Sequence, residues 1–145
     1  MRKILHKSKL LIVAFAVLSL GGCAMFSTSP TLTLKMHLDN NSNNSQILTV
    51  LAAPMSEQSF INTDYEKALS LVGKSSSHTV TLTPDNFADG DYVYKVPANE
   101  HQGMGIFVFY TNVASNTQWK QYIPEAYGKK YEVTIGKDSL SNFSA

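Results

Sequence analysis

The side chains of this sequence that could do chemistry are few and lie far apart. His37, His78 and His101 stand on three separate segments with no metal-ligand spacing, which makes each a surface or internally satisfied histidine rather than a ligand. Glu100-His101 is the nearest approach to an acid–base pair, yet neighbouring residues project apart, and Asn99 and Gln102 on either side mark a solvated turn. Asp85, Asp89 and Asp91 imitate part of a calcium loop but lack its full ligand spacing and distal glutamate; turn and capping roles account for them. There is no G-x-S-x-G, no H-E-x-x-H and no glycine-rich phosphate cradle. The expectation is a protein that is not an enzyme and holds no metal or cofactor.

Cys23, the only cysteine, is the exception. It follows Leu20, Gly21 and Gly22 at the end of the uncharged stretch Leu10 to Leu20, which is preceded by Arg2, Lys3, Lys7 and Lys9. Eleven residues at ~1.5 Å each reach about half the hydrocarbon thickness, so the run reads as a signal peptide over residues 1–22 and not as a membrane span. Leu20-Gly21-Gly22-Cys23 resembles the bacterial lipobox, in which small residues admit the backbone to a protease cleft and the thiol receives a diacylglyceryl group. The resemblance implies a covalent lipid on Cys23. Ala24, in place of the aspartate common in lipoproteins held at the inner membrane, implies an outer-membrane lipoprotein facing the periplasm.

Cleavage there leaves 123 residues, with eight of the twelve basic residues and all eleven acidic ones, a net charge of −3. That length suits one domain with a real core. No basic stripe interleaved with aromatics remains, which excludes nucleic acid as a partner and assigns membrane attachment to lipid. With Cys23 acylated no thiol is left for a disulfide, so the domain depends on its hydrophobic core.

The elements follow from periodicity. Residues 23–30 are an acylated N-terminus and tether ending in Pro30, and residues 31–145 are the folded domain. Leu32, Leu34, Met36 and Leu38 alternate with polar residues, a half-buried strand. Asp39 to Gln46 (DNNSNNSQ) then halts pairing with small polar residues that compete for backbone hydrogen bonds. Further strands are read at Ile47–Ala53, His78–Leu82, Asp91–Val96, Met104–Tyr110, Gln118–Ile123 and Lys130–Gly136. Met104–Tyr110 (MGIFVFY) is apolar throughout and predicts a central strand buried on both faces. One helix is expected over Thr63–Val72, with Thr63 and Glu66 at capping-box spacing, Gly73 behind it and Phe60 as its staple. Thr83 to Gly90 reads as a turn-rich connection, and Trp119 as a core plug in preference to an interface anchor. Seven strands with one inserted helix argue for an all-β antiparallel sandwich.

In this order the pieces resemble the type VI secretion outer-membrane lipoprotein family, TssJ (SciN-like). The resemblance lies in the lipobox, the alternating first strand with its Asn-containing loop, ILTVLAAP leading to SFINTDYEKAL, GMGIFVFYTNVASNTQWKQYI, and KKYEVTIGKDSLS. It implies a transthyretin-like sandwich that binds the periplasmic C-terminal region of the inner-membrane IcmF-like protein, TssM. The family does so through the loop between the first two strands, here Asn40, Asn41, Ser42, Asn43, Asn44, Ser45 and Gln46. The proline and arginine that many members carry just before the second strand are missing. Two other readings stay open: a periplasm-facing lipoprotein with a small-molecule or glycan pocket between the sheets or beside Tyr92, Tyr94 and Trp119, and an envelope hydrolase or an inhibitor of one.

Overall fold

The alternation at the start of the domain forms β1 (Thr31–His37), with Leu32, Leu34 and Met36 buried and the odd-numbered residues turned outward. The computed structural model describes residues 30–145; Leu20, Gly21, Gly22, Cys23 and the tether as far as Ser29 lie outside the described residues. After β1 come β2 (Leu48–Pro54), α1 (Glu57–Ile61), α2 (Tyr65–Leu71), β3 (His78–Leu82), α3 (Pro84–Asp89) and β4 (Asp91–Pro97). They are followed by β5 (Met104–Phe109), β6 (Lys120–Ile123), β7 (Lys130–Ile135) and β8 (Leu140–Ser144). The strands form two four-stranded sheets, ordered β4-β1-β7-β8 and β3-β2-β5-β6.

The sheets enclose the main core, in which Leu34, Met36 and Val133 of the first meet Val50, Ile106 and Val108 of the second. Every residue of β5 is buried, as its composition predicts. Its even positions enter the main core, while Phe107 and Phe109 face the other way and join Leu51, Ala53 and Ala68 in a second cluster under α1 and α2. The helices therefore cover the outer face of one sheet and convert it into an interior. Phe60 contributes as expected, lying 5.6 Å from the Phe107 ring and 5.4 Å from Tyr122.

The sandwich is as expected, and four details depart from the sequence reading. First, β1 pairs with β4 antiparallel but with β7 parallel, Thr33 to His37 running beside Lys130 to Thr134, so one ladder breaks the antiparallel rule. Second, the expected helix starts later. Asp64, not Thr63, caps α2, its carboxylate accepting from the Lys67 N–H at 2.8 Å, while the Thr63 hydroxyl donates back to the Ser59 carbonyl at 2.7 Å. A carboxylate at a helix N-terminus outcompetes a hydroxyl because it also meets the helix dipole.

Third, two further short helices exist. α1 is capped by Ser56, and α3 has Pro84 in its first turn, with Thr83 N–H donating to Asn86 Oδ1 at 2.8 Å and Gly90 at φ +87° behind it. Fourth, β8 adds an eighth strand, seated by buried Leu140 and by Phe143 against Tyr131, with a bulge opposite Glu132–Thr134.

Strand direction sorts the connections to two ends. Pro30 lies at the entry end with residues 98–103 and 124–129, where its carbonyl accepts from Ala98 N–H and Lys129 carbonyl from Thr33 N–H. The opposite end, the tip, gathers residues 38–47, α3, residues 110–119 and the 136–139 turn.

Candidate functional site

The tip is organised by two buried side chains. Ser42 and Asn43 are both fully excluded from solvent. The Ser42 hydroxyl donates to the Ile135 carbonyl at 2.7 Å and accepts from Asp39 N–H at 3.0 Å. Asn43 uses its whole amide. Nδ2 donates to the carbonyls of Gln46 (3.2 Å) and Ile47 (2.9 Å), and Oδ1 accepts from Thr111 N–H at 2.8 Å. Its backbone N–H reaches the Gly136 carbonyl at 3.2 Å, and its carbonyl accepts from Gln46 N–H at 3.0 Å. One asparagine thus ties the start of β2, the end of β5 and the end of β7, elements of both sheets.

The backbone turns by passing through left-handed geometry at three successive residues, Asn43 (φ +47°), Asn44 (+54°) and Ser45 (+60°). Asparagine is the side chain that best tolerates this region, and the conformation persists because side-chain bonds offset its cost. Asp39 Oδ1 accepts from Asn41 N–H at 2.7 Å, Ser45 Oγ donates to the Asn40 carbonyl, and Asn44 Nδ2 donates to the Lys137 carbonyl at 3.4 Å. The loop is a braced turn, its left-handed backbone held by these side-chain bonds.

Of the seven residues singled out in sequence, Ser42 and Asn43 are buried and brace the turn from within. Asn40, Asn41, Ser45 and Gln46 are exposed and Asn44 is half-buried. Sequence reasoning passed over their apolar neighbours Ile47 (62% exposed) and Val113 (42%). Beside them Thr111 to Ala114, Asn116, Thr117, Asp138 and Ser139 line an open groove of about 580 Å³. This rim offers amide and hydroxyl donors and acceptors around isolated apolar side chains, the mixture common at protein–protein contacts.

The other candidates disperse. His78 begins β3, and Glu100 and His101 are exposed in a turn at the entry end. Asp85 and Asp89 sit at the two ends of α3, and no group of three His, Cys, Asp or Glu side chains able to hold a metal occurs among the described residues. Trp119 is half-buried and packs against both apolar clusters, edge-on to Tyr65 at 5.1 Å, beside a groove of about 310 Å³ that includes Phe60, Lys120 and Tyr122. Lys120 spans the Phe60 ring at 4.7 Å and donates to the carbonyls of Phe60 and Thr63, and burial lowers its pKa. Tyr92 and Tyr94 point into the sandwich, and burial pushes the Tyr94 hydroxyl up to about 12.

His37, on the outer face just below the tip, bridges two carboxylates. Its Nδ1 lies 2.8 Å from Asp91 Oδ1 and its Nε2 2.9 Å from Glu132 Oε2, with Lys35 Nζ 3.5 Å from Asp91 Oδ2. Both ring nitrogens can donate only in the imidazolium form. The bond to Glu132 and then that to Asp91 raise the His37 pKa above 6.5; the bond to His37 lowers Asp91 below 3.8 and Glu132 below 4.5.

No family model and no curated protein matches the sequence. Solved structures do. The T6SS lipoprotein TssJ1 from Pseudomonas aeruginosa matches with TM-score 0.59 at 16% identity, covering 81% of this chain and 98% of that one. Serratia marcescens Lip, a membrane-bound component of the type VI secretion system, matches at 0.56 and 15%, covering 80% and 98%. A chain in the structure of the T6SS protein TssM C-terminal domain from EAEC matches at 0.61 and 17%, covering 80% and 98%. The fold is therefore that of the TssJ-type lipoproteins.

Two outcomes are expected. Asn43→Ala, by stranding the Thr111 N–H and two carbonyls, lowers unfolding free energy by about 2–4 kcal/mol; urea titration checks this, and a change below about 0.5 kcal/mol contradicts it. The His37 cluster stabilises the fold most between the carboxylates' ordinary values (3.8 and 4.5) and the histidine's (6.5). Its contribution falls as pH rises through the raised His37 pKa, or drops through the lowered carboxylate values. In thermal melts His37→Gln should accordingly lower the Tm more at pH 5.5 than at pH 8.5, and an equal loss at both would contradict the assignment.

Proposed function

We propose that this protein is the outer-membrane lipoprotein of a type VI secretion membrane complex, held by a lipid on Cys23, with its tip docking the periplasmic C-terminal region of the IcmF-like inner-membrane protein, TssM. On this reading it carries out no reaction, and needs no cofactor beyond the covalent lipid. The observation that carries the reading is the braced tip, set in the fold of the TssJ-type lipoproteins and at the opposite end of β1 from Pro30.

The physical case rests on pre-organisation. A supple loop loses conformational freedom when it docks, and that loss subtracts from affinity. Here Ser42 and Asn43 have fixed the backbone in advance, so Asn40, Asn41, Asn44, Ser45, Gln46 and Ile47 present a formed edge. β1 carries that edge roughly 20 Å from Thr31, away from the membrane and toward a partner arriving from the inner membrane.

The test separates edge from scaffold. Replacing Asn40, Asn41 and Gln46 together by glutamate, with Ser42 and Asn43 intact, should reduce capture of the periplasmic region of TssM at least tenfold while the melting temperature stays within about 3 °C. Undiminished capture by the folded variant would refute the docking assignment.

A further inference from the structure

The entry end carries a charge pattern that a lipid tether alone does not require. Strand register sets Lys95 opposite Thr33, and Thr33 opposite Lys130, on the outward face of β4-β1-β7. Lys129 adjoins them, and the turn that leads into it exposes Tyr127, with Gly128 at φ +65° bending the backbone. Lys95, Lys129 and Lys130 are all exposed and make no ion pair among the described residues, whereas Lys35, higher on the same face, is engaged by Asp91. Of the acidic residues near this end, Glu57 sits where β2 of the other sheet leads into α1. Glu57 lines a groove with His101 and Pro124, and Glu100 and Glu125 adjoin those two in sequence.

We propose that the corner formed by Lys95, Tyr127, Lys129 and Lys130 rests on the anionic phospholipid surface that anchors the chain, so that the domain stands with a fixed side toward the bilayer and its tip directed away. This deepens the proposed function and rests on acylation of Cys23. The occupant follows from where the chain enters. Pro30 is tied to Ala98, which follows β4, and Thr33 to Lys129, and only seven residues separate Cys23 from Thr31, a reach of at most about 25 Å. A surface that close to the bilayer meets headgroups before it meets any other partner. Each lysine near an anionic membrane adds a factor of about five to surface partitioning, and an exposed tyrosine suits the headgroup layer. The protein as a whole is acidic once residues 1–22 are removed, so attraction has to come from a local patch such as this one.

The test uses the full acylated chain in vesicles of phosphatidylcholine with about 30% phosphatidylglycerol, against phosphatidylcholine alone. An amine-acetylating reagent read by mass spectrometry reports each lysine. Lys95, Lys129 and Lys130 should react at least threefold more slowly on the anionic vesicles, with the difference vanishing at about 0.5 M salt and Lys137 at the tip unchanged throughout. Equal reactivity on both vesicle types, or protection at Lys137 in place of the corner, overturns the proposal while leaving the anchor intact. A chain that fails to float with either vesicle and carries no acyl mass on Cys23 overturns the anchor, and this proposal with it.

Discussion

The side chain of Asn43 is the interaction on which the tip depends. A primary amide has two donors and an acceptor, and burying it without partners costs several kilocalories per mole. Here all three functions are met by backbone from the loop itself and from β5, while the residue's own N–H reaches the end of β7. No apolar side chain could do this, since the loop must cross between the sheets exactly where their strand ends leave carbonyls and N–H groups unpaired. The constraint also explains the left-handed run of Asn43, Asn44 and Ser45: the side chain reaches its partners only when the backbone bends that way.

A second consequence concerns polarity. Because β1 is central in its sheet, flanked by β4 and by parallel β7, its two ends are fixed relative to the whole sandwich. Pro30 enters at one end and the braced turn leaves at the other, joined by the seven residues of one half-buried strand. On the proposed reading, one strand is both the continuation of the tether and the support of the docking edge. Lys95, Lys129 and Lys130 are exposed at the first end and Asn40, Asn41 and Gln46 at the second, and on the proposed reading the former meet lipid and the latter a protein.

Much of this was legible in sequence. Period-2 alternation located β1 and β7, and the unbroken apolar run of β5 announced burial on two faces, which the helices then supplied. What escaped detection was local chemistry too short for periodicity. Thr83-Pro84 with Gly90 six residues on carries a helix start and stop, yet α3 spans six residues and buries only Phe87. β8 has Leu140 and Phe143 for its apolar content, and a bulge interrupts its alternation. The tip loop shows the deeper limit. An asparagine bound to water and one bound to distant backbone look alike in sequence, and the partners of Asn43 at Thr111 and Gly136 lie far along the chain.

The central claim is that a rigid tip, held away from the membrane, meets a protein partner. Photo-crosslinking in cells from an unnatural residue at Gln46, compared with one at Tyr127, tests it most directly. The account predicts a covalent adduct with the large inner-membrane protein from position 46 and none from position 127. An adduct from position 127 alone would contradict it.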